Sequence, residues 1–160
     1  MHTISLLING EQQQAGNRAT FERLNPLDGS VATRAPAATP ADAVAAVEAA
    51  ARAFPAWAAT GPGERRALLT KAAHALEAKA QAFSAAMAAE TGASGLWAGF
   101  NVHLAAGILL EAAALTTQIN GEVIPSDVPG SLSMGVRQAA GVVLGMAPWN
   151  APIILAVRAL

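Results

Sequence analysis

The sequence predicts an α/β fold, and three observations carry that expectation. Short apolar runs punctuated by Asn-Gly, Asn-Pro and Asp-Gly fill the first 35 residues, and alanine-rich runs at helical spacing fill the middle. Near the end an uninterrupted apolar stretch, GVVLGMA, runs through the turn APWNAP into a further apolar helix. A continuously apolar strand suits a sheet covered on both faces, and strand-turn-helix is the geometry at which open α/β sheets bind ligands.

The elements follow in chain order. SLLI meets Asn9-Gly10, the strongest hairpin dipeptide, and TFERL meets NPLDG, so a small antiparallel β segment is expected at the start. Thr39-Pro40-Ala41-Asp42 supplies a cap, a proline at the first helical position and an early acid, which together open a helix. Val44, Val47, Ala51 and Phe54 share one face of it, and Pro55 is expected to close it. After TGPGE a second helix is expected from about Glu64, with Leu69, Ala72, Leu76, Ala80 and Phe83 as its apolar stripe.

Beyond Thr91-Gly92, Ser94 to about Ile119 is apolar on all sides and reads as a buried helix ended by Asn120-Gly121. His103 lies inside it with no second histidine or carboxylate at ligand spacing, so it reads as a hydrogen-bonded packing residue and no metal site is expected. Glu122 to Pro129 is expected to be a loop. In SLSMGVRQ, Leu132, Met134 and Val136 alternate with small or polar residues, which is the pattern of a half-exposed strand.

Composition excludes several classes of function. The 160 residues are 53% hydrophobic with a formal net charge of -1, and no Lys/Arg cluster offers a footprint for nucleic acid or an anionic membrane. There is no cysteine, hence no disulfide scaffold, thiolate metal site or cysteine nucleophile within these residues. Residues 139–157 carry no charge and are long enough to cross a bilayer, but Pro148, Pro152, Asn150, Gly141 and Gly145 break the pattern, so no membrane span is expected. MHTISLLINGEQQQ lacks a basic region and a cleavage site, which makes a cytoplasmic location the expectation.

The chemistry concentrates at Asn150, one amide between two prolines in an apolar run. Spacing leaves it either the N-cap of the helix that follows or a functional amide donor, and Trp149 either a packed indole or part of a site.

Beyond that point the sequence resembles a known family. VVLGMAPWNAPIILAVRAL is similar to the proline-tryptophan-asparagine segment of the aldehyde dehydrogenase superfamily. AFPAWAATGPGERRALLTKAAHALEAKAQAFSAAMAAETG resembles its paired N-terminal helices, LNPLDGSVATRAPAAT its strand-turn-strand opening, and NGEVIPSD the link before its oligomerisation hairpin. TGASGLWAGFNVHLAAG and APWNAPIILAVRAL resemble most the salicylaldehyde dehydrogenases, with vanillin and benzaldehyde dehydrogenases as neighbours.

The resemblance implies the N-terminal part of the aldehyde dehydrogenase fold: a small β segment and helices of the cofactor-binding domain over 1–120, a loop and oligomerisation-hairpin strand over 121–140, and the first strand and helix of the Rossmann-like core over 141–160. It implies that Asn150 is the oxyanion donor, and that Met146, Ala147, Pro148 and Trp149 lie along the ribose and nicotinamide of NAD, with NADP not excluded. Trp97, Phe100, Asn101 and Leu104 on one helix, with Ala151, Ile154, Leu155 and Arg158 on the next, resemble walls of the aldehyde tunnel. Arg158 is placed either to meet a ring hydroxyl or to form a surface or subunit-contact salt bridge. In the family the nucleophilic cysteine and general-base glutamate lie further along the chain, so the segment alone is expected to be inactive. A small aromatic aldehyde and further copies of the chain, as dimer or tetramer, are the implied partners. A non-catalytic assembly module is the competing class.

Overall fold

A computed structural model describes residues 2–160. Five short strands open the chain: β1 (His2–Thr3), β2 (Leu6–Ile8), β3 (Glu11–Gln13), β4 (Thr20–Leu24) and β5 (Val31–Pro36). β2 and β3 form the hairpin expected at Asn9-Gly10, whose φ values of 54° and 78° give the two positive angles that a two-residue turn of matching twist requires. β4 and β5 pair antiparallel around NPLDG, where the Asn25 side chain accepts from the Leu27 N–H at 2.9 Å. The segment is not purely antiparallel, as expected from its turns: β1 lies parallel to β5, giving the order β1-β5-β4. That pairing joins residues some thirty positions apart and leaves no local signal.

Helix α1 (Pro40–Ala58) opens with a complete capping box. The Asp42 carboxylate accepts from the Thr39 N–H at 2.7 Å and the Thr39 hydroxyl at 2.8 Å, and the Gly16 N–H donates to it at 3.1 Å. Donation from Thr39, main chain and then hydroxyl, holds the Asp42 carboxyl below the usual carboxylate range. Pro55 does not close this helix but lies inside its last turn, where the missing N–H forfeits one bond and the Ala59 N–H still reaches the Pro55 carbonyl at 3.2 Å. The stripe of Val44 and Val47 is exposed and only Ala49 of this helix is buried, on the side where β2 packs.

Helix α2 (Pro62–Ala78) begins two residues before Glu64, since Pro62 carries the backbone angle of a first helical position. Its stripe does not continue unbroken to Phe83. The chain kinks at Lys79 and resumes as α3 (Ala80–Thr91), which Gly92 ends in the left-handed conformation at φ 69°. Ala73, Leu76 and Met87 are buried, Leu69 and Ala80 are half-buried, and Ala72 and Phe83 are exposed.

Helix α4 (Gly95–Leu115) is the hub, packing against α2, α3 and α5. The Ser94 hydroxyl caps it by accepting from the Trp97 N–H at 3.2 Å. It stops short of Ile119: the Thr116 hydroxyl and the Arg66 guanidinium both donate to the Ala113 carbonyl, satisfying an end that helical bonds leave open. It is long and apolar enough to cross a membrane by composition alone, yet its small residues Ala98, Ala105, Ala106 and Ala113 are sealed beneath neighbouring helices. His103 is exposed rather than packed, and no cluster of metal-binding side chains occurs among the described residues.

The expected loop at Glu122 contains a strand, β6 (Glu122–Ile124), which pairs antiparallel with β7 (Ser133–Gly135) inside SLSMGVRQ. A Cβ on Gly121 would lie 2.5 Å from the Gly135 carbonyl oxygen, so only glycine admits the two backbones this closely. GVVLGMA is not a strand here. No described strand pairs with it, Val143 and Leu144 are 71% and 82% exposed, and an apolar run without a ladder partner has nothing to fix it. The last helix, α5 (Pro152–Val157), is six residues long and inserts Ala151 and Ile154 among Ala73, Leu76, Val102, Ala105, Ala106 and Leu109. The uncharged run 139–157 is therefore helical only at its end.

Candidate active site

The site is a turn held against a helix. Trp149 and Asn150 form the turn that precedes α5, and Ala151, at φ -141° and ψ 60°, is the N-cap. No side chain caps this helix, which removes the first of the two readings of Asn150 and leaves its exposed carboxamide free of that task. Two anchors fix the turn. The buried Ala151 methyl sits in the core, and the Trp97 indole N–H donates to the Asn150 main-chain carbonyl at 3.0 Å.

Around that bond the expected residues divide. Trp97 and Phe100 stack with ring centroids 5.5 Å apart and planes 22° from parallel, and they are 42% and 47% exposed. Asn101 points the other way and is fully buried; its side-chain NH₂ donates to the Trp97 carbonyl at 3.1 Å, while its Oδ1 is buried without a partner. Leu104 is half-buried against the core. On α5, Ala151 and Ile154 are packed inward, Leu155 is half-buried and Arg158 is exposed. Arg158 takes no part in the three ion pairs among the described residues.

Met146, Ala147, Pro148 and Trp149 form an exposed apolar strip leading to Asn150. Trp149 is 71% exposed among the described residues. A strip of this kind lets a flat ring lie against main chain. Between Arg137 and Arg158 the sequence has no titratable side chain, and the Asn150 amide is itself a neutral donor at every pH.

A cavity of about 360 Å³ lies behind the turn, lined by Leu76, Phe83, Met87, Trp149, Ile153 and Val157. At its rim Glu90 accepts from Arg23 at 3.1 Å and from the buried Thr33 hydroxyl, tying the β segment to α3. The sequence gives no hint of this trio, in which Glu90 lies 57 and 67 positions from Thr33 and Arg23.

Comparison with known proteins agrees with this geometry. Residues 13–160 match the aldehyde dehydrogenase family. A vanillin dehydrogenase of Pseudomonas sp. (strain HR199 / DSM 7063) is 60% identical over 99% of the chain and 33% of its own length. A salicylaldehyde dehydrogenase of Pseudomonas sp. (strain C18) is 48% identical over 97% of the chain and 32% of its own length. The crystal structure of a salicylaldehyde dehydrogenase from Pseudomonas putida G7, complexed with salicylaldehyde, superposes with a TM-score of 0.96 at 47% identity, covering 99% of this chain and 33% of that one. The chain thus spans about a third of the length of these relatives, along their common fold. The chain belongs to the aldehyde dehydrogenase family.

Proposed function

We propose that these residues form the N-terminal third of an NAD(P)-dependent dehydrogenase that oxidises a salicylaldehyde-like aromatic aldehyde to the carboxylic acid. The observation that carries the reading is the Asn150 turn: an exposed carboxamide and a main chain tied to α4 by Trp97. Support for the substrate class comes from relatives named for vanillin, salicylaldehyde and benzaldehyde, and from the Trp97–Phe100 stack beside the turn.

In this reading the Asn150 side-chain N–H donates to the aldehyde oxygen as negative charge develops on it, a bond stronger in the transition state than before it. Trp97 and Phe100 present aromatic surface to the ring, with Asn101 and Leu104 supporting them from beneath. Ala151, Ile154 and Leu155 hold α5 so that Arg158 reaches out toward a ring hydroxyl. A bound nicotinamide supplies the hydride acceptor, and Met146, Ala147, Pro148 and Trp149 are the residues that would lie along it. The nucleophile is assigned to the remainder of the protein, since these residues contain no cysteine.

The test compares three proteins with salicylaldehyde and NAD or NADP. The full-length protein should turn over, Asn150→Ala should lose about 10²- to 10³-fold in kcat, and the 160-residue chain should be inactive. An Asn150→Ala variant with undiminished kcat, or turnover by the isolated chain, would sink the proposal.

One observation favours an additional role in assembly. The β6–β7 hairpin exposes Val123, Met134 and Val136, and its outer edge is free to accept another strand, which suits a dimer or tetramer.

A further inference from the structure

Asn150 contributes nothing to catalysis unless its carboxamide is aimed, and no side chain caps the helix that follows to hold the turn from that end. Among the described residues the turn is hydrogen-bonded to α4 through the Trp97 indole N–H, which donates to the Asn150 carbonyl at 3.0 Å.

Trp97 is itself restrained in main chain and ring. Phe100 stacks against the indole, the Ser94 hydroxyl accepts from the Trp97 main-chain N–H, and the buried Asn101 carboxamide donates to the Trp97 carbonyl. Ser94 is the N-cap of α4, and Phe100 and Asn101 lie in its first two turns. Trp97 thus links the start of α4 to the turn.

We propose that Trp97 is a positioning residue: its indole N–H grips the main chain of Asn150 and so directs the carboxamide toward the reacting oxygen. This role rests on the reading of Asn150 as oxyanion donor and is separate from the aromatic surface that the ring face of Trp97 presents to the substrate, which Trp97→Phe retains. A wall acts on the ring of the aldehyde and is felt in binding. A grip on the turn acts on the transition state alone, because the Asn150 donor matters most when charge has formed.

A double-mutant cycle in the full-length protein separates these roles. Trp97→Phe keeps an aromatic ring and removes the donor. It should lower kcat by about 2- to 12-fold, the range for one neutral hydrogen bond, with KM for the aldehyde little changed. In an Asn150→Ala background, where there is no carboxamide to aim, the same substitution should lower kcat less than two-fold. Should Trp97→Phe yield too little folded protein, incorporation of benzothienylalanine at position 97, which keeps the fused ring and lacks the N–H, serves in the same cycle.

A rise in KM with kcat intact would overturn the proposal in favour of a substrate wall. Full multiplication of the two losses would overturn it in favour of an independent role. Failure of the underlying reading shows differently, because Asn150→Ala alone would then leave kcat unchanged.

Discussion

Ile154→Ala is the substitution whose cost should be most local. Ile154 is 5% exposed and reaches the cluster formed by α2 and α4, so truncation deletes three carbons from a packed site. At about 0.8 kcal/mol per buried methylene the transfer loss is about 2.4 kcal/mol, and the cavity left behind extends the range to about 5 kcal/mol. Little opposes this loss locally, because Ala151 is the other buried anchor of the α5 segment and Ile153, Leu155 and Val157 are half-buried. The Leu155 and Arg158 amides, bonded to the Ala151 and Ile154 carbonyls at 3.0 Å, should therefore exchange with solvent roughly 60-fold faster or more, at a factor of ten per about 1.4 kcal/mol. Hydrogen exchange read by mass spectrometry on a peptide covering 152–158 of the full-length protein measures this, with α1 as the internal control. Acceleration below five-fold, or equal acceleration in α1, would refute the view that α5 is held by this one side chain.

Three further outcomes follow from features already described. Arg158→Leu in the full-length protein should reduce kcat/KM for salicylaldehyde more than for benzaldehyde, by about 1–3 kcal/mol for a charged hydrogen bond; equal losses would make Arg158 irrelevant to the ring hydroxyl. Met134 pairs with Val123, whereas Val136 lies beyond the ladder, so Met134→Pro should weaken the hairpin and shift sedimentation to smaller species; an unchanged profile counts against assembly through this edge. Because the Asp42 carboxyl is held below its ordinary value, its contribution is present above that value and is lost as pH falls through the lowered one. Asp42→Ala should therefore destabilise α1 near neutrality and lose its effect in strong acid; a destabilisation that persists undiminished there would argue against the charged capping box.

What was legible in the sequence is what neighbouring residues decide among themselves. Asn9-Gly10 determines a turn because two adjacent residues accept positive φ, and Thr39 with Asp42 determines a helix start because both partners of the box lie within one turn. The Asn150 turn was legible in the same way, through two prolines and an amide. Non-local decisions left no trace. GVVLGMA has the composition of a central strand but lacks a pairing partner among these residues, and β1 finds β5 in parallel across thirty positions. Helix α4 is apolar all round, so its pattern could not tell that His103 faces out and Asn101 faces in. Lys79 breaks α2 from α3 without a proline or glycine to announce it. The Trp97 bond to Asn150 spans 53 positions and depends on how α4 meets α5, which no window of sequence contains.

The interior of this segment is built from methyl groups: Ala73, Ala98, Ala105 and Ala106 are fully buried and Ala113 is 3% exposed. Helices that meet on alanine approach nearly backbone to backbone, and such a seam has an asymmetric tolerance to change. Trimming Ala to Gly removes one carbon and costs about 0.5–1 kcal/mol in helix propensity. Enlarging it to Val or Leu forces the helices apart and costs about 1–3 kcal/mol or more at each site. Saturation mutagenesis selected on folded protein should therefore retain glycine and serine at these five positions and discard the branched aliphatics, the opposite of the spectrum at a leucine-filled core. Drift along this lineage is then confined to small residues wherever α4 is crossed, which leaves the exposed faces of α1 and α3 as the places where sequences can diverge.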